Sequence, residues 1–457
     1  MTINNANLYS GGTVISNSTV FPGNIAANSA AWGTGPITLL GGTIQFNGYG
    51  GAVGTGWGGC TNAINVSAGQ TGTLLLPPRW GYSSPFNSPL TGGGTVNVTV
   101  DYVRDYFSGN WSAFTGRINV TPRSGTGDFR IDNATGYANA AIFLNNGVNC
   151  YNINANGQTT DIGELGGGAT AFIGAGGSVN PIWRIGAKNT TNTYAGVIAD
   201  AGVTALIKTG TGMLVLSGGN TYSGGTTVSG GTLVASNTTG SATGSGAVTV
   251  NAGGTLAGSG IISGAVSVNS SGQFAPGPAT GFGTLTASNN VTFAAGSTNV
   301  FPIRHSPLTN NTAKILGTLT DGGTLKVVDA GAGGFAPGDN FKLFNAGAYS
   351  GAFASFVLPS LATNLVWNTN TLKISGTLSV AAYVPPVIGS LTITGTHLSA
   401  SGGGGIPYWT YYVLAATNLT ASWTPVATNQ FDAGGNFIFT NAIAPGQPQT
   451  FFRLQLQ

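Results

Sequence analysis

The chain has 457 residues, of which 41% are hydrophobic and only 5% are charged, and its formal net charge is +3. This hydrophobic content excludes a solvated disordered chain, and the scattered basic residues exclude a nucleic-acid partner, because phosphates require clustered lysine and arginine. A single glutamate, Glu164, and many glycine, threonine, asparagine and serine residues predict strands and turns rather than helices.

The first residues, 1–5, have neither the basic nor the apolar region of a signal peptide, and no stretch reaches the length of a membrane span. Charge this low is unusual for a cytosolic protein. We therefore expect an extracellular or cell-surface protein. Either its signal peptide has been removed, or the chain is a fragment of a longer protein.

A short phrase of two glycines, a threonine and an aliphatic residue recurs along the chain. It occurs at residues 11–14, 41–44, 93–96, 230–233, 253–256 and 322–325. Glycine accepts the positive φ of a tight turn, and threonine followed by an aliphatic residue begins an alternation of exposed and buried side chains. Each copy therefore predicts a turn that leads into a short strand.

Aromatic residues between positions 80 and 111 are the candidate glycan contacts. They are Trp80, Tyr82, Tyr102, Tyr106 and Trp111, and Trp183 is a further candidate for the same platform. Exposed rings stack on sugar faces, whereas buried rings fill the interior of a repeat coil, which is their commoner use. The sequence leaves both interpretations open.

The same region contains the candidate acids for glycoside chemistry. Hydrolysis of a glycosidic bond requires two carboxyl groups at a defined separation, and Asp101 and Asp105 share one face of a strand. The favoured interpretation is a structural strand with an aspartate–arginine pair. Asp128, Arg130 and Asp132 repeat the alternation and receive the same interpretation. We expect no catalytic residue and no cofactor.

The two cysteines and two histidines are widely spaced. Cys60 and Cys150 could form a disulfide in an oxidising compartment. Coils of about 20–30 residues would place them several rungs apart, which is too far for a disulfide unless a long loop brings them together. Both alternatives, a disulfide and two thiols, stay open. His305 and His397 are 92 residues apart and have no ligand-spaced partner, which predicts no metal site.

The middle of the chain repeats a longer unit. Residues 246–251, Gly-Ala-Val-Thr-Val-Asn, are followed by Gly-Ala-Val-Ser-Val-Asn at 264–269. Aliphatic residues alternate with small polar ones at a period of two, and this favours stacked coils over the alternative, an ordinary β-sandwich. The segment 208–234, with Lys-Thr-Gly-Thr-Gly-Met-Leu-Val-Leu-Ser-Gly-Gly-Asn-Thr-Tyr-Ser-Gly-Gly at its start, resembles the autotransporter-associated β-strand repeat across residues 204–290.

The resemblance implies a secreted parallel β-helix of the kind found in passenger regions of bacterial surface proteins, without catalytic residues. One departure is that the remainder after residue 300 is too short for the membrane barrel that ends a complete autotransporter. The chain is therefore expected to be a passenger-type module without a translocator of its own.

The last part of the chain differs in composition. Pro385 and Pro386 indicate a linker, and short aromatic strands follow it, which predicts a small β-sandwich-like domain. This part resembles short terminal modules of secreted bacterial repeat proteins. The complete prediction is an all-β chain with a right-handed parallel β-solenoid, divided into 1–203, 204–300 with the repeats, 301–380 with the last coils, and 381–457.

The predicted function is that of an extracellular structural or adhesive surface protein that associates with copies of itself, plausibly as a fibre. Residues 201–300 contain one charged side chain, Lys208, so that little repulsion acts between neighbours. The alternatives are a glycan-binding module and a polysaccharide lyase or hydrolase on a β-helix. The expected partners are other copies of the chain and surface glycans.

Overall fold

A computed structural model describes residues 1–3, 7–21, 31–46, 60–76, 86–101, 106–133, 136–153, 156–443, 446 and 449–456. Within this part the chain is almost entirely β, with one four-residue helix. It forms a parallel β-solenoid of about 12 turns followed by small antiparallel sheets, which confirms the predicted fold class. No helix in these ranges is long and apolar enough to cross a membrane.

The strands up to Val357 are, in chain order, β1 (Thr13–Ser16), β2 (Thr19–Val20), β3 (Ile37–Leu40), β4 (Thr43–Gln45), β5 (Ile64–Asn65), β6 (Thr71–Leu75), β7 (Leu90–Thr91), β8 (Thr95–Val100), β9 (Arg117–Pro122), β10 (Gly127–Ile131), β11 (Tyr137–Leu144), β12 (Val148–Asn152), β13 (Thr159–Gly167), β14 (Phe172–Ala175), β15 (Ile182–Ile185), β16 (Asn192–Tyr194), β17 (Val197–Ile198), β18 (Ala205–Lys208), β19 (Met213–Leu216), β20 (Thr226–Val228), β21 (Gly231–Ala235), β22 (Val248–Val250), β23 (Gly254–Gly258), β24 (Ile261–Ile262), β25 (Val266–Val268), β26 (Gln273–Pro276), β27 (Thr284–Ala287), β28 (Val291–Phe293), β29 (Thr298–Arg304), β30 (Thr309–Asn310), β31 (Thr312–Asp321), β32 (Thr324–Asp329), β33 (Asn340–Lys342), β34 (Phe344–Gly351) and β35 (Ser355–Val357).

The remaining elements are β36 (Leu365–Asn368), α1 (Leu372–Ser375), β37 (Thr377–Ala382), β38 (Val387–Thr394), β39 (His397–Gly403), β40 (Thr410–Ala416), β41 (Thr424–Gln430), β42 (Phe437–Ala442) and β43 (Phe451–Leu456). Two compact units result. The first comprises Met1–Pro302, Asn311–Val328 and Asn345–Val357, and the second comprises Ile303–Asn310, Asp329–Phe344 and Leu358–Gln457.

Each solenoid strand pairs in parallel with the strand one coil further along the chain. The ladder β18-β20-β22-β25-β28 shows this directly, since Leu206 pairs with Thr226, Thr226 with Val248, Val248 with Val266 and Val266 with Val291. Consecutive partners are therefore between 18 and 25 residues apart. Strands stacked in this way are separated by about 4.8 Å.

The alternation of apolar and polar residues explains why these segments form rungs. In β20, β22 and β25 the residues at both ends of each three-residue strand are buried, and the central one faces outwards. Val228, Val250 and Val268 consequently stack in register inside the coil. Each fully buried aliphatic side chain contributes roughly 1.5–3 kcal/mol of transfer free energy, so the column is the main source of stability.

The recurrent glycine phrase is required by close backbone contact as well as by turn geometry. Gly231 has a φ of +61°, and a Cβ atom at this position would lie 2.3 Å from the carbonyl oxygen of Gly212. A side chain is therefore disfavoured twice, by the left-handed backbone and by the neighbouring coil. On the outside of the solenoid, asparagines bond from coil to coil, as in the 2.9 Å contact from Asn269 Nδ2 to Asn251 Oδ1.

The second unit is antiparallel. Strands β33, β37 and β36 form one three-stranded sheet, although residues 301–380 were expected to form solenoid coils. Elsewhere in 301–380, strands β31, β32, β34 and β35 belong to the parallel solenoid sheet, and β32 pairs with β35 at Thr324–Lys326.

Two further three-stranded sheets follow, β38-β39-β42 and β41-β40-β43. Their shared core contains Ala400, Phe437 and Phe439 from the first sheet and Tyr411 and Val413 from the second. The ring centroids of Tyr411 and Phe437 are 5.7 Å apart. The predicted terminal β-sandwich-like module corresponds to this pair of sheets.

Candidate functional site

Trp111 was a candidate glycan contact, and the structure corrects this interpretation. Its side chain is fully buried, and its Nε1 donates a 3.0 Å hydrogen bond to the carbonyl oxygen of Ser88. The ring packs edge-on against Phe107 and Tyr137, at centroid distances of 5.7 and 5.6 Å. Trp183 is also fully buried. Both rings fill the coil interior, because their hydrophobic area is worth more inside the solenoid than in water.

Four other aromatic residues were predicted to belong to the platform. Trp80, Tyr82 and Tyr102 lie outside the described residues. Tyr106 is described and is half-buried, and its carbonyl oxygen accepts a 2.7 Å hydrogen bond from the backbone amide of Phe86. The predicted aromatic platform stays a prediction for these four residues.

Of the two candidate acids Asp101 and Asp105, for which a structural role was favoured, one is described. Asp105 lies outside the described residues. Asp101 is half-buried, and its carbonyl oxygen accepts a 2.9 Å hydrogen bond from the backbone amide of Asp128. Asp101 therefore sits one coil away from β10, in the ladder that holds the next pair of acids.

Those acids have structural partners. Asp128 is 3% exposed and forms a 3.0 Å ion pair with Arg130 Nη2 on the same strand face. Asp132 accepts a 3.0 Å hydrogen bond from Ser108 Oγ. The structural interpretation given to this alternation is therefore the one that its contacts support.

The histidines take part in local contacts within the second unit. His305 Nδ1 lies 2.7 Å from Asp339 Oδ2, which also accepts a hydrogen bond from the backbone amide of Ala336. His397 Nδ1 lies 3.4 Å from Thr396 Oγ1. Over the described ranges, no group of three or more His, Cys, Asp or Glu side chains is arranged to hold a metal ion.

Both cysteines are free thiols, so that the disulfide considered as one alternative is not formed. Cys150 is fully buried in β12 between Phe129 and Ile173 of the neighbouring coils. Burial raises the pKa of the Cys150 thiol far above its usual range and raises the pKa of Cys60 to about 11. Thiols with such pKa values carry almost no thiolate at neutral pH and are chemically inert.

An aromatic cluster that the sequence interpretation missed lies on the outer face of β10, β12 and β14. We call it the aromatic face, and it consists of Asp128, Arg130, Asn149, Tyr151 and Phe172. Asp128 pairs across the strands with Asn149 and Asn149 with Phe172, while Arg130 pairs with Tyr151. Buried Phe129, Cys150 and Ile173 alternate with these positions.

Contacts within the aromatic face fix its geometry. The rings of Tyr151 and Phe172 are tilted, with centroids 5.5 Å apart, and the guanidinium carbon of Arg130 lies 5.2 Å from the Tyr151 centroid. Asn149 Nδ2 is 3.4 Å from Asp128 Oδ1. Adjacent rings with amide, carboxylate and guanidinium groups beside them are the side-chain types that bind sugars.

The signal for this cluster was present in the sequence. Strand alternation places Tyr151 and Phe172 on the face opposite the buried Cys150 and Ile173. Their proximity depends on the coil length between β12 and β14, because Tyr151 pairs with Gly174, 23 residues later. The recurrent glycine phrase does not occur in this part of the chain, so the sequence did not reveal that spacing.

A second outer face is apolar and uncharged. It forms an open groove of about 450 Å³ across β19, β21, β23, β26 and β29, and the lining includes Met213, Val215, Val234, Ala257 and Pro302. None of the residues that line it is charged. The groove has no group that could act as an acid, a base or a metal ligand.

Lys208 lies inside the solenoid rather than on its surface. It is 1% exposed, pairs with Ile185 and Val228 in the adjacent coils, and takes an aliphatic position in the core column. Its Nζ donates to the carbonyl oxygens of Thr209 and Gly230, at 2.7 and 3.1 Å, and to that of Gly210 at 3.3 Å. Desolvation lowers the pKa of the amine to about 8.

Comparison with known families decides how this region is classified. The family model described as the passenger-associated-transport-repeat matches residues 206–235, which cover most of β18 and all of β19, β20 and β21. The chain carries a passenger-associated transport repeat. Lys208 is the third residue of the matched segment. No curated protein matches the chain.

The passenger repeat and the parallel solenoid together fit the passenger of an autotransporter, which is a surface protein. The repeat therefore confirms the family resemblance seen in the sequence. It also indicates a secreted or surface location for the chain.

Proposed function

We propose that the chain is a non-catalytic structural element of a bacterial cell surface that associates with copies of itself. The observation that carries this proposal is the passenger repeat at 206–235, folded into stacked rungs. A parallel solenoid buries its apolar column along its whole length and presents repeated polar ladders outside, which suits an extended scaffold.

The electrostatics of the solenoid support self-association. The one charged side chain among residues 201–300, Lys208, is buried and held by backbone carbonyl groups. The exposed surface of this stretch therefore has no charged side chain, and two copies meet there without like-charge repulsion. An apolar groove on the same stretch adds surface that gains free energy when it is covered.

A concentration series by light scattering, combined with negative-stain microscopy, tests the association. We expect the average mass to rise with concentration and elongated particles to appear. Strictly monomeric particles at every concentration would overturn the self-association. Immunogold labelling of the producing cells tests the surface location separately, and label confined to the cytoplasm would contradict it.

The absence of catalysis is part of the proposal. It is supported by Asp128 and Asp132, which have structural partners in Arg130 and Ser108. Incubation with plant, algal and bacterial polysaccharides should release no new reducing or unsaturated ends. Turnover that is lost in Asp101→Ala or Asp105→Ala would show the lyase or hydrolase alternative to be correct.

Glycan binding is the second candidate function, and the aromatic face favours it. Tyr151, Phe172 and Arg130 offer adjacent ring faces and a cation on an outer sheet surface. Glycan-array binding should weaken in Tyr151→Ala and Phe172→Ala. The matched control is Phe356→Ala, which removes an exposed ring at another place in the solenoid. Equal binding by all three variants would exclude this face as the glycan site.

A further inference from the structure

The last module has an edge strand whose apolar side chains are uncovered. All eight residues of β38 are exposed, and the exposed fractions are 65% for Val387, 45% for Ile388, 62% for Leu391 and 67% for Ile393. Ile388, Leu391 and Ile393 pair with Gly402, Ala400 and Leu398 and so share one face, whereas Val387 lies on the other face. Large apolar side chains scattered singly on a surface are ordinary, but three on one face of a strand form a patch that marks an interaction site.

The three side chains that share a face point to the core side of the sheet. Leu391 pairs with Ala400 and Ala400 with Phe439, which are 1% and 6% exposed. Directly opposite residues in an antiparallel sheet project to the same face, and Ile393 follows Leu391 by two positions. Leu391 and Ile393 therefore continue the core layer of the sandwich beyond the point where the second sheet covers it.

The open side of the sandwich is also a groove. It has a volume of about 740 Å³, and its lining includes Ile388 on β38 and Phe452, Leu454 and Leu456 on β43. The sandwich thus ends at β38 with an apolar layer that is incomplete and a cavity beside it. A further strand laid along β38 would cover the apolar layer.

The backbone edge of β38 is open to such a strand. The strand pairs with β39 on one side and is the outermost member of its sheet. Natural edge strands are usually protected by charged residues, proline or a covering segment. The sequence of β38, Val-Ile-Gly-Ser-Leu-Thr-Ile-Thr, has no charged residue and no proline.

We propose that two copies of the chain pair antiparallel along β38, with a twofold axis at Thr392. The two three-stranded sheets would then form one continuous six-stranded sheet. This inference rests on the proposed self-association and names one surface for it.

The occupant is a second copy because residues 390–394 are self-complementary. An axis at Thr392 places Leu391 opposite Ile393 of the partner copy, Thr392 opposite its own equivalent, and Ser390 opposite Thr394. Leu391 and Ile393 of both copies then lie on the core side. Ser390, Thr392 and Thr394 of both copies lie on the other face.

The same axis satisfies the backbone. In an antiparallel ladder, alternate residues direct their N–H and C=O groups to one neighbour and the residues between them to the other. The axis pairs odd-numbered residues with odd-numbered ones, so the outward-directed groups of one copy face those of the other. In a register shifted by one residue, outward-directed N–H and C=O groups of one copy would meet residues of the other copy whose groups point away. Apolar side chains would also lie opposite hydroxyl side chains.

Charge and area set the expected strength. Uncharged strands meet without repulsion, which favours the pairing. The axis at Thr392 pairs residues 390–394, which are only about 17 Å long, so the pairing covers less than the roughly 800 Å² per partner of a standard interface. The contact is therefore reversible and is lost on dilution.

The charge pattern of paired variants tests the register in the full-length protein. In Leu391→Lys/Ile393→Lys each lysine faces a lysine of the partner, whereas in Leu391→Lys/Ile393→Glu each lysine faces a glutamate. Both variants lose the same two apolar side chains at exposed positions, so folding is preserved equally. Leu419→Lys, at a 63% exposed loop position, is the control.

Sedimentation velocity over a concentration series gives the dissociation constant for each protein. We expect roughly a tenfold or greater weakening for the double-lysine variant, little change for Leu419→Lys, and recovery towards wild type for the lysine–glutamate variant. Equal association of both double variants would overturn the register. Wild-type association that persists undiminished in the double-lysine variant would overturn this inference and leave the proposed self-association standing, whereas a monomeric wild type would overturn both.

Cysteine cross-linking gives an independent measurement. Thr392→Cys should form a disulfide-linked dimer under mild oxidation, because opposite residues have Cβ atoms about 4.5–5.5 Å apart. Thr394→Cys should not, because its equivalents would be about 13 Å apart along the strand. The native thiols, Cys60 and Cys150, are buried and do not compete. Equal cross-linking of the two variants would contradict the axis at Thr392.

Discussion

Lys208 pairs with Val228 in register, so that an amine occupies a position in the solenoid core that the next coils fill with valine. Its three donors are taken by carbonyl oxygens of Thr209, Gly210 and Gly230. Backbone carbonyl groups therefore stabilise the ammonium group inside the column, and none of these three contacts is with a carboxylate. This arrangement makes the stability of the fold depend on pH.

The first prediction concerns the pH range above 8. The pKa of Lys208 is about 8 in the folded chain and 10.5 in its ordinary state, so the unfolded chain binds more protons between these values. The free energy of unfolding should therefore rise from pH 8 to pH 10.5, by about 3 kcal/mol at most. Denaturant unfolding across this range measures the rise.

Lys208→Met should abolish that rise and should lower stability by about 1–3 kcal/mol, because three carbonyl groups lose their donor. Lys326→Met, at an exposed position on β32, is the control and should keep the rise. A rise of equal size in Lys208→Met would show that another group causes it.

The second prediction concerns Asp321, at the far end of the same column. Leu319 and Thr320 pair with Val291 and Thr292, which places Asp321 opposite Phe293. Asp321 is 6% exposed, and its Oδ1 has no hydrogen-bond partner. Desolvation raises the pKa of this carboxyl from 3.8 to about 7.

A carboxyl with a raised pKa in the folded state binds protons more tightly there than in the unfolded chain. The free energy of unfolding should therefore fall as the pH rises from about 4 to 7, by about 4 kcal/mol at most. Asp321→Asn should remove this fall and should be more stable than wild type at pH 8. The exposed Asp329→Asn should follow the wild-type curve. Together with Lys208, these slopes give a stability minimum near pH 7–8.

The solenoid could be predicted from the sequence because its signal is local. Alternating residues in Val248–Val250 and Val266–Val268 indicate which side chains face inwards. The glycine phrase that contains Gly231 or Gly254 indicates where the coil turns. The passenger repeat was recognised on the same residues and is confirmed by the family match at 206–235.

The candidate site could not be predicted to the same extent because exposure depends on distant parts of the chain. Besides the nearby Phe107, Trp111 is packed against Phe86, Phe129 and Tyr137 of other coils, which its neighbours in sequence do not reveal. Strand β38 shows the opposite case: its apolar residues resemble a core strand, yet the sheet ends there and they are exposed. Tyr151 and Phe172 meet only because the intervening coil has the length that aligns them.

The third prediction tests the structural role of Trp111. Trp111→Ala should reduce stability by about 3–5 kcal/mol, because it leaves a cavity among Phe107, Phe129 and Tyr137. Trp423→Ala is the control, since that ring is half-buried and lies 4.6 Å from the guanidinium carbon of Arg453, and its loss should cost about 1 kcal/mol. Thermal unfolding of both variants measures the difference, and equal losses would contradict the buried role.

The fourth prediction separates backbone conformation from contact between coils. Gly231 and Gly253 both have positive φ, +61° and +77°, but a Cβ on Gly231 would lie 2.3 Å from Gly212 O, whereas a Cβ on Gly253 would have nothing within 4 Å. Gly253→Ala should therefore cost only the left-handed penalty, about 1–2 kcal/mol. Gly231→Ala should cost distinctly more, because the turn must move away from the carbonyl of the preceding coil. Urea unfolding of the two variants compares these free energies directly. Similar losses would mean that backbone conformation alone requires glycine in the phrase. A larger loss for Gly253→Ala would likewise contradict the expected cost of the contact between coils at Gly231.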